Sequence, residues 1–175
     1  DHYHENWTDR LDKIAKEFAL IKEAKLVVEL ACGAGKTSAW CKKYGFSYLG
    51  LDRSELMLVY GRRGCVEDNI KLELIPEGAL GWPEDADLVI IAMTKSSWSA
   101  SDTSWYISQA RNILKDSGKL LLRFPYELPV LKKIGWDFFE ILNNSGFSFS
   151  GIKEIVSDKD GSTWLFANKN SRLVN

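Results

Sequence analysis

The chain has 175 residues, 45% of them hydrophobic, with 23 basic and 24 acidic side chains and a formal net charge of -1. That length predicts a single domain over residues 1–175 with a sizeable core, and the near-zero charge excludes a net pull toward a polyanion, so there is no clear nucleic-acid signal. No apolar run approaches the roughly 20 residues that span a bilayer, and Cys32, Cys41 and Cys65 lack the spacing of a zinc or redox motif, which fits a reducing, cytoplasmic setting.

The start shows no charged-then-apolar leader pattern, although a chain beginning at Asp1 leaves a preceding leader open. No metal site is expected, and His2 and His4 are read as a featureless pair. From Thr8 to Ala24, Leu11, Ile14, Phe18 and Ile21 recur at helical spacing among charged residues, so residues 1–24 are read as an N-terminal helical segment lying on apolar structure. Strands are predicted at Lys25–Leu30, Tyr48–Leu51, Lys71–Ile75, Asp87–Met93 and Gly118–Phe124, with helices at Thr37–Tyr44, Leu56–Gly61 and Thr103–Lys115 between them.

This alternation predicts a parallel sheet with helices on both faces. A helix at Val130–Asn144 follows, and then two β-rich runs, Ile152–Val156 and Thr163–Ala167, joined by a polar link too short for a crossover helix. Those two strands must be antiparallel. The expected fold is an α/β three-layer sandwich whose seven-stranded sheet is mostly parallel and ends in an antiparallel C-terminal hairpin strand. Trp40, Trp105, Trp136 and Trp164 fall in periodic segments and are expected as core or half-core residues, whereas Trp82 and Trp98 follow strands on the side where ligands bind.

The first strand carries Glu29 near its end and opens into Ala31-Cys32-Gly33-Ala34-Gly35, and the second ends in Asp52. An acid at the tip of each of two neighbouring parallel strands fits a ribose diol, and the glycines let a ligand approach the backbone. Gly35-Lys36-Thr37 also matches the tail of a phosphate-binding P-loop. That reading lacks the acid after a later strand that would hold magnesium, because Leu88–Met93 runs into Thr94-Lys95. A dinucleotide is less well served than a mononucleoside with a charged tail, since position 38 is Ser38 rather than glycine.

In order and spacing, Val28–Ser38, Gly50–Ser54, Leu74–Leu80 with Ala86–Val89, and Leu114–Leu122 resemble the class I S-adenosylmethionine-dependent methyltransferases, as does the reversed last strand. The resemblance implies S-adenosylmethionine as cofactor. Glu29 would help fix its amino-acid end, and the backbone from Ala31 through Cys32 and Gly33 to Gly35 would wrap the methionine portion. Asp52 would accept the ribose hydroxyls with Arg53 flanking the adenine, Gly78 and Ala79 would lie at the adenine edge, and Ala92 and Met93 would border the transfer site. The leading segment, with Tyr3 and Trp7, would fold over the cofactor.

Two positions depart from the family pattern: Ala31 stands where a glycine is common, and Gly78 stands where an aspartate usually meets the adenine, with Glu77 one residue earlier as a substitute. Lys95 and Tyr126 are the polar candidates for a base beside the transfer site. The acceptor is unidentified, a small molecule being favoured over a macromolecule, and oligomerisation is left open. The alternatives are a methyltransferase-like protein that binds cofactor or partner without catalysis, and a P-loop nucleotide hydrolase.

Overall fold

The computed structural model describes residues 2–20, 22, 24–64, 67–78, 81–93, 99–126, 138–155 and 162–170. Seven strands, β1 (Leu26–Leu30), β2 (Ser47–Asp52), β3 (Ile70–Leu74), β4 (Ala86–Ala92), β5 (Leu114–Phe124), β6 (Phe147–Ile155) and β7 (Ser162–Lys169), form one sheet in the order β3-β2-β1-β4-β5-β7-β6. Strands β1 to β5 pair in parallel, while β7 runs antiparallel to both β5 and β6. Among the described residues the helices are α1 (His2–Glu17), α2 (Thr37–Tyr44), α3 (Glu55–Arg62), α4 (Ala100–Ile113) and α5 (Phe138–Asn144). The sandwich anticipated from the alternation of strand and helix is the one observed.

The two-residue period of the strands sends alternate side chains to opposite faces of the sheet. Val28 and Leu30 of β1 pack in the core shared with Ile107, Ala110 and Ile113 of α4. Val27 enters the opposite core, with Leu11 and Ile14 of α1 and Trp40 and Cys41 of α2. Glu29 lies between Val28 and Leu30 and so takes the face of Val27, where almost every neighbour is apolar. Its carboxylate therefore requires partners supplied by the fold.

Several boundaries differ from expectation. Helix α1 stops at Glu17 instead of Ala24, because Ala19 adopts a φ of 52° and turns the chain so that Leu20 N donates back to Ala15 O at 2.8 Å. Strand β5 begins at Leu114, which pairs with Ala86 ahead of a register shift. Strand β6 reaches back to Phe147 because β7 pairs with it as far as Lys169. The helix anticipated from Val130 is described only as Phe138–Asn144, the residues before it lying outside the described set. Among the described residues no helix is long and apolar enough to cross a membrane.

Candidate functional site

The strand order reverses direction at β1, which has β2 on one side and β4 on the other. In open α/β sheets, ligands bind beyond the carboxyl ends of the strands at such a point. There β1 runs into Ala31–Lys36, in which Ala31, Gly33 and Gly35 all have positive φ, at 56°, 56° and 70°. At Gly35 the positive φ calls for glycine, and a Cβ there would stand 2.6 Å from the Leu72 Cδ2 methyl, which would have to shift. Helix α3 closes on the same loop: a Cβ at Gly61 would lie 2.5 Å from the carbonyl oxygen of Ala34.

Asp52, the last residue of β2, is half-buried and faces this loop. Its Oδ2 accepts the Gly33 N–H at 2.6 Å and its Oδ1 accepts the Ser54 N–H at 2.8 Å. A carboxylate offers about four acceptor positions. Two are used in shaping the turn.

Glu29 differs from Asp52 although the sequence places an acid at the end of both strands. It is only 4% exposed. Oε1 accepts from Thr37 Oγ1 at 2.9 Å, and Oε2 accepts from the Tyr48 hydroxyl at 2.5 Å. Burial pushes its carboxyl up, and the charge of Asp52 adds to that; hydrogen bonds from Tyr48 and Thr37 oppose it, and the outcome is about 7. Burial, with the charges of Glu29 and Asp52, raises the Cys32 thiol far above neutral pH, so Cys32 serves as a packed loop residue and not as a nucleophile.

Arg53 follows Asp52 and leaves the sheet toward α4. Its guanidinium lies 4.7 Å from the Trp105 ring centroid and 5.3 Å from that of Tyr106, with Asp102 Oδ1 at 3.9 Å. Asp102 also completes a capping box with Ser99 at the start of α4, which fixes that helix beside the loop. Trp82 meets Trp105 edge-on at 5.9 Å and donates its indole N–H to the Gly78 carbonyl at 2.9 Å. A continuous aromatic wall thus runs from Arg53 to Gly78. Gly78 itself is exposed with a φ of 87°, and the neighbouring Glu77 is exposed.

Ala92 ends β4 and is half-buried, while Met93 is 1% exposed with its sulfur 4.0 Å from Thr103 Oγ1. Arg123 occupies both backbone groups of Met93: its carbonyl takes the Met93 N–H at 2.9 Å and its Nη1 donates to the Met93 carbonyl at 3.2 Å. Tyr126, half-buried beyond β5, is pinned through its carbonyl by the Thr163 hydroxyl at 2.8 Å. Ala79, Lys95, Trp98 and Trp136 lie outside the described residues. Trp40 and Trp164 are fully buried, as their periodic settings predicted.

The structure therefore brings Glu29, the Ala31–Gly35 loop and Asp52 to one point. Sequence reading missed Thr37 and Tyr48, the partners of Glu29, and the role of Arg123. One signal was available: a glutamate inside an apolar strand demands hydrogen-bond donors, and a threonine at the start of the next helix is a natural source.

The fold and the site define a Rossmann-like protein with a glycine loop and an acid at the switch point of its sheet. The sequence profile of the family described as "Methyltransferase domain" matches residues 27–118, and the chain belongs to that family. Among solved structures it is similar to the PH0226 protein from Pyrococcus horikoshii OT3, with a TM-score of 0.75 and 18% identity over 97% of this chain and 92% of that one. It is also similar to the magnesium protoporphyrin IX methyltransferase from Synechocystis PCC 6803 with bound SAH, with a TM-score of 0.72 and 22% identity over 95% of this chain and 84% of that one. A third is an S-adenosylmethionine-dependent methyltransferase from Mesorhizobium loti, with a TM-score of 0.67 and 17% identity over 88% and 96% of the two chains. At these identities the likeness is one of fold. No curated protein matches the sequence at a significant level. S-adenosylmethionine is the cofactor of this class.

Proposed function

We propose that the protein transfers a methyl group from S-adenosylmethionine to a small-molecule acceptor in the cytoplasm. The observation that carries the reading is the Asp52 carboxylate, half-buried at the tip of β2, tied to Gly33 and Ser54 and left with acceptor capacity. Free, buried Cys32 and Cys41 suit a reducing compartment.

When bound, the cofactor supplies a methyl group made electrophilic by its sulfonium. The chain's own residues then bind, orient and exclude water. Asp52 accepts the ribose hydroxyls, and the backbone of Ala31, Cys32, Gly33 and Gly35 lies along the methionine portion. Arg53, held against Trp105, flanks the adenine, with Glu77, Gly78 and Ala79 at its edge. Glu29 fixes the amino-acid end by holding the start of α2 through Thr37. Ala92 and Met93 border the acceptor, their position set by Arg123. A base is needed only where the acceptor must lose a proton, and Lys95 and Tyr126 are the residues assigned to that task.

Incubation with S-adenosylmethionine carrying a labelled methyl group and a fractionated cell extract tests this. Label should appear in a small-molecule fraction with matching formation of S-adenosylhomocysteine. Label confined to protein or nucleic acid would refute the small-molecule assignment, and no label in any fraction would refute transfer.

A further inference from the structure

Trp7 of α1 donates its indole N–H to Thr37 Oγ1 at 3.2 Å, and the same hydroxyl donates to Glu29 Oε1 at 2.9 Å. A threonine hydroxyl has one proton and two lone pairs, so it serves both bonds at once. With a lone pair engaged by the indole, its proton is left for the carboxylate. Glu29 is completed on its other oxygen by Tyr48 at 2.5 Å.

The ring of Trp7 is held independently. It lies 5.6 Å from the Trp164 ring and 5.6 Å from the Arg123 guanidinium, which in turn donates to the Met93 carbonyl. One side chain of α1 thus reaches both halves of the switch point, β1 and α2 through Thr37, and the ends of β4 and β5 through Arg123. The glycine loop lies between Glu29 and Thr37, so the bond joining those two closes the loop at its base. Farther along α1, Asp12 gathers Lys16 at 2.9 Å, Lys43 at 3.1 Å and the Tyr44 hydroxyl, seating the helix on α2 without involving the loop.

We propose that Trp7 is a positioning residue of the cofactor site: the relay from its indole through Thr37 to Glu29 couples the seating of α1 to the shape of the glycine loop. Cofactor binding and α1 docking then strengthen each other, since coupling between two sites is reciprocal. The inference rests on the cofactor reading given above.

Calorimetric affinity for S-adenosylhomocysteine and hydrogen exchange of the α1 amides, both measured on the full chain, test the relay. In the unaltered protein the ligand slows exchange across Leu11–Glu17. Trp7→Phe keeps a ring against Trp164 and Arg123 but has no donor, and Thr37→Val keeps the shape of threonine without the hydroxyl. Each binds about tenfold more weakly, the scale of one lost buried hydrogen bond, and loses the ligand-dependent slowing. Thr37→Ser restores both. Unaltered affinity and intact slowing in Trp7→Phe would show a packing role alone and overturn the proposal, as would a Thr37→Ser variant no better than Thr37→Val. Absence of binding by the unaltered protein is a separate failure, which removes the cofactor reading and the relay with it.

Discussion

The Gly33 N–H donates to Asp52 Oδ2 at 2.6 Å, so the acid at the end of β2 shapes the loop at the end of β1. One carboxylate holds the turn and, in the proposed function, offers its remaining lone pairs to a diol. Asp52→Asn keeps the size of the side chain but replaces one acceptor with a donor, facing an N–H. Cofactor affinity should fall by about 1–3 kcal/mol, the cost of leaving such a group unpaired. Calorimetry on the folded variant checks this, and undiminished affinity would move the ribose elsewhere.

Glu29 links stability to pH. Its carboxyl is raised from 4.5 to about 7, first by burial and further by Asp52, against hydrogen bonds from Tyr48 and Thr37. Between those values the folded chain binds more protons than the unfolded one. The stability that Glu29 contributes is therefore complete below 4.5 and lost as pH rises through about 7. Melting temperatures from about pH 5 to about pH 8 should decline more steeply for the unaltered protein than for Glu29→Gln. The amide will be less stable overall, because its nitrogen faces a donor; the slope carries the test, and parallel curves would contradict it.

Ala31 bears a φ of 56° in a loop whose other left-handed residues are glycines. That conformation costs a residue with a Cβ roughly 1–2 kcal/mol, offset in part by the greater freedom glycine has when unfolded. Ala31→Gly should raise stability by about 0.5–1 kcal/mol in denaturant titration. Equal or lower stability would show that the alanine methyl group makes contacts worth more than the strain.

Gly61 brings α3 against the loop, and a Cβ there would lie 2.5 Å from the Ala34 carbonyl oxygen. Gly61→Ala should cost about 1–3 kcal/mol through overpacking and weaken cofactor binding as the loop shifts. Gly64→Ala, where the nearest atom is 3.7 Å away, is the control and should stay within about 0.5 kcal/mol. Equal effects at the two positions would refute the loop contact.

The layered fold was legible because Val27–Leu30 and Leu88–Ile91 are apolar enough to be inner strands and the short link after Val156 admits no crossover. The place of Asp52 at the end of β2, next to the glycine loop, was legible because the apolar run Tyr48–Leu51 stops at that acid. The burial of Glu29 was not, since its donors Thr37 and Tyr48 lie 8 and 19 residues away and meet it only once α2 and β2 have packed. The end of α1 escaped for a local reason: apolar spacing continues through Ile21, yet the left-handed turn at Ala19 is set by how Leu20 folds back into the core. The hydrogen bond from Trp7 to Thr37 was not legible, because its acceptor is 30 residues ahead.

Titration of the unaltered protein with S-adenosylhomocysteine, beside a parallel titration with ATP and magnesium, tests the central claim most directly. Saturable binding of one S-adenosylhomocysteine per chain, lost or weakened in Asp52→Ala, with no response to ATP and magnesium, is the predicted result. Tight binding of ATP and magnesium with no response to S-adenosylhomocysteine would contradict it.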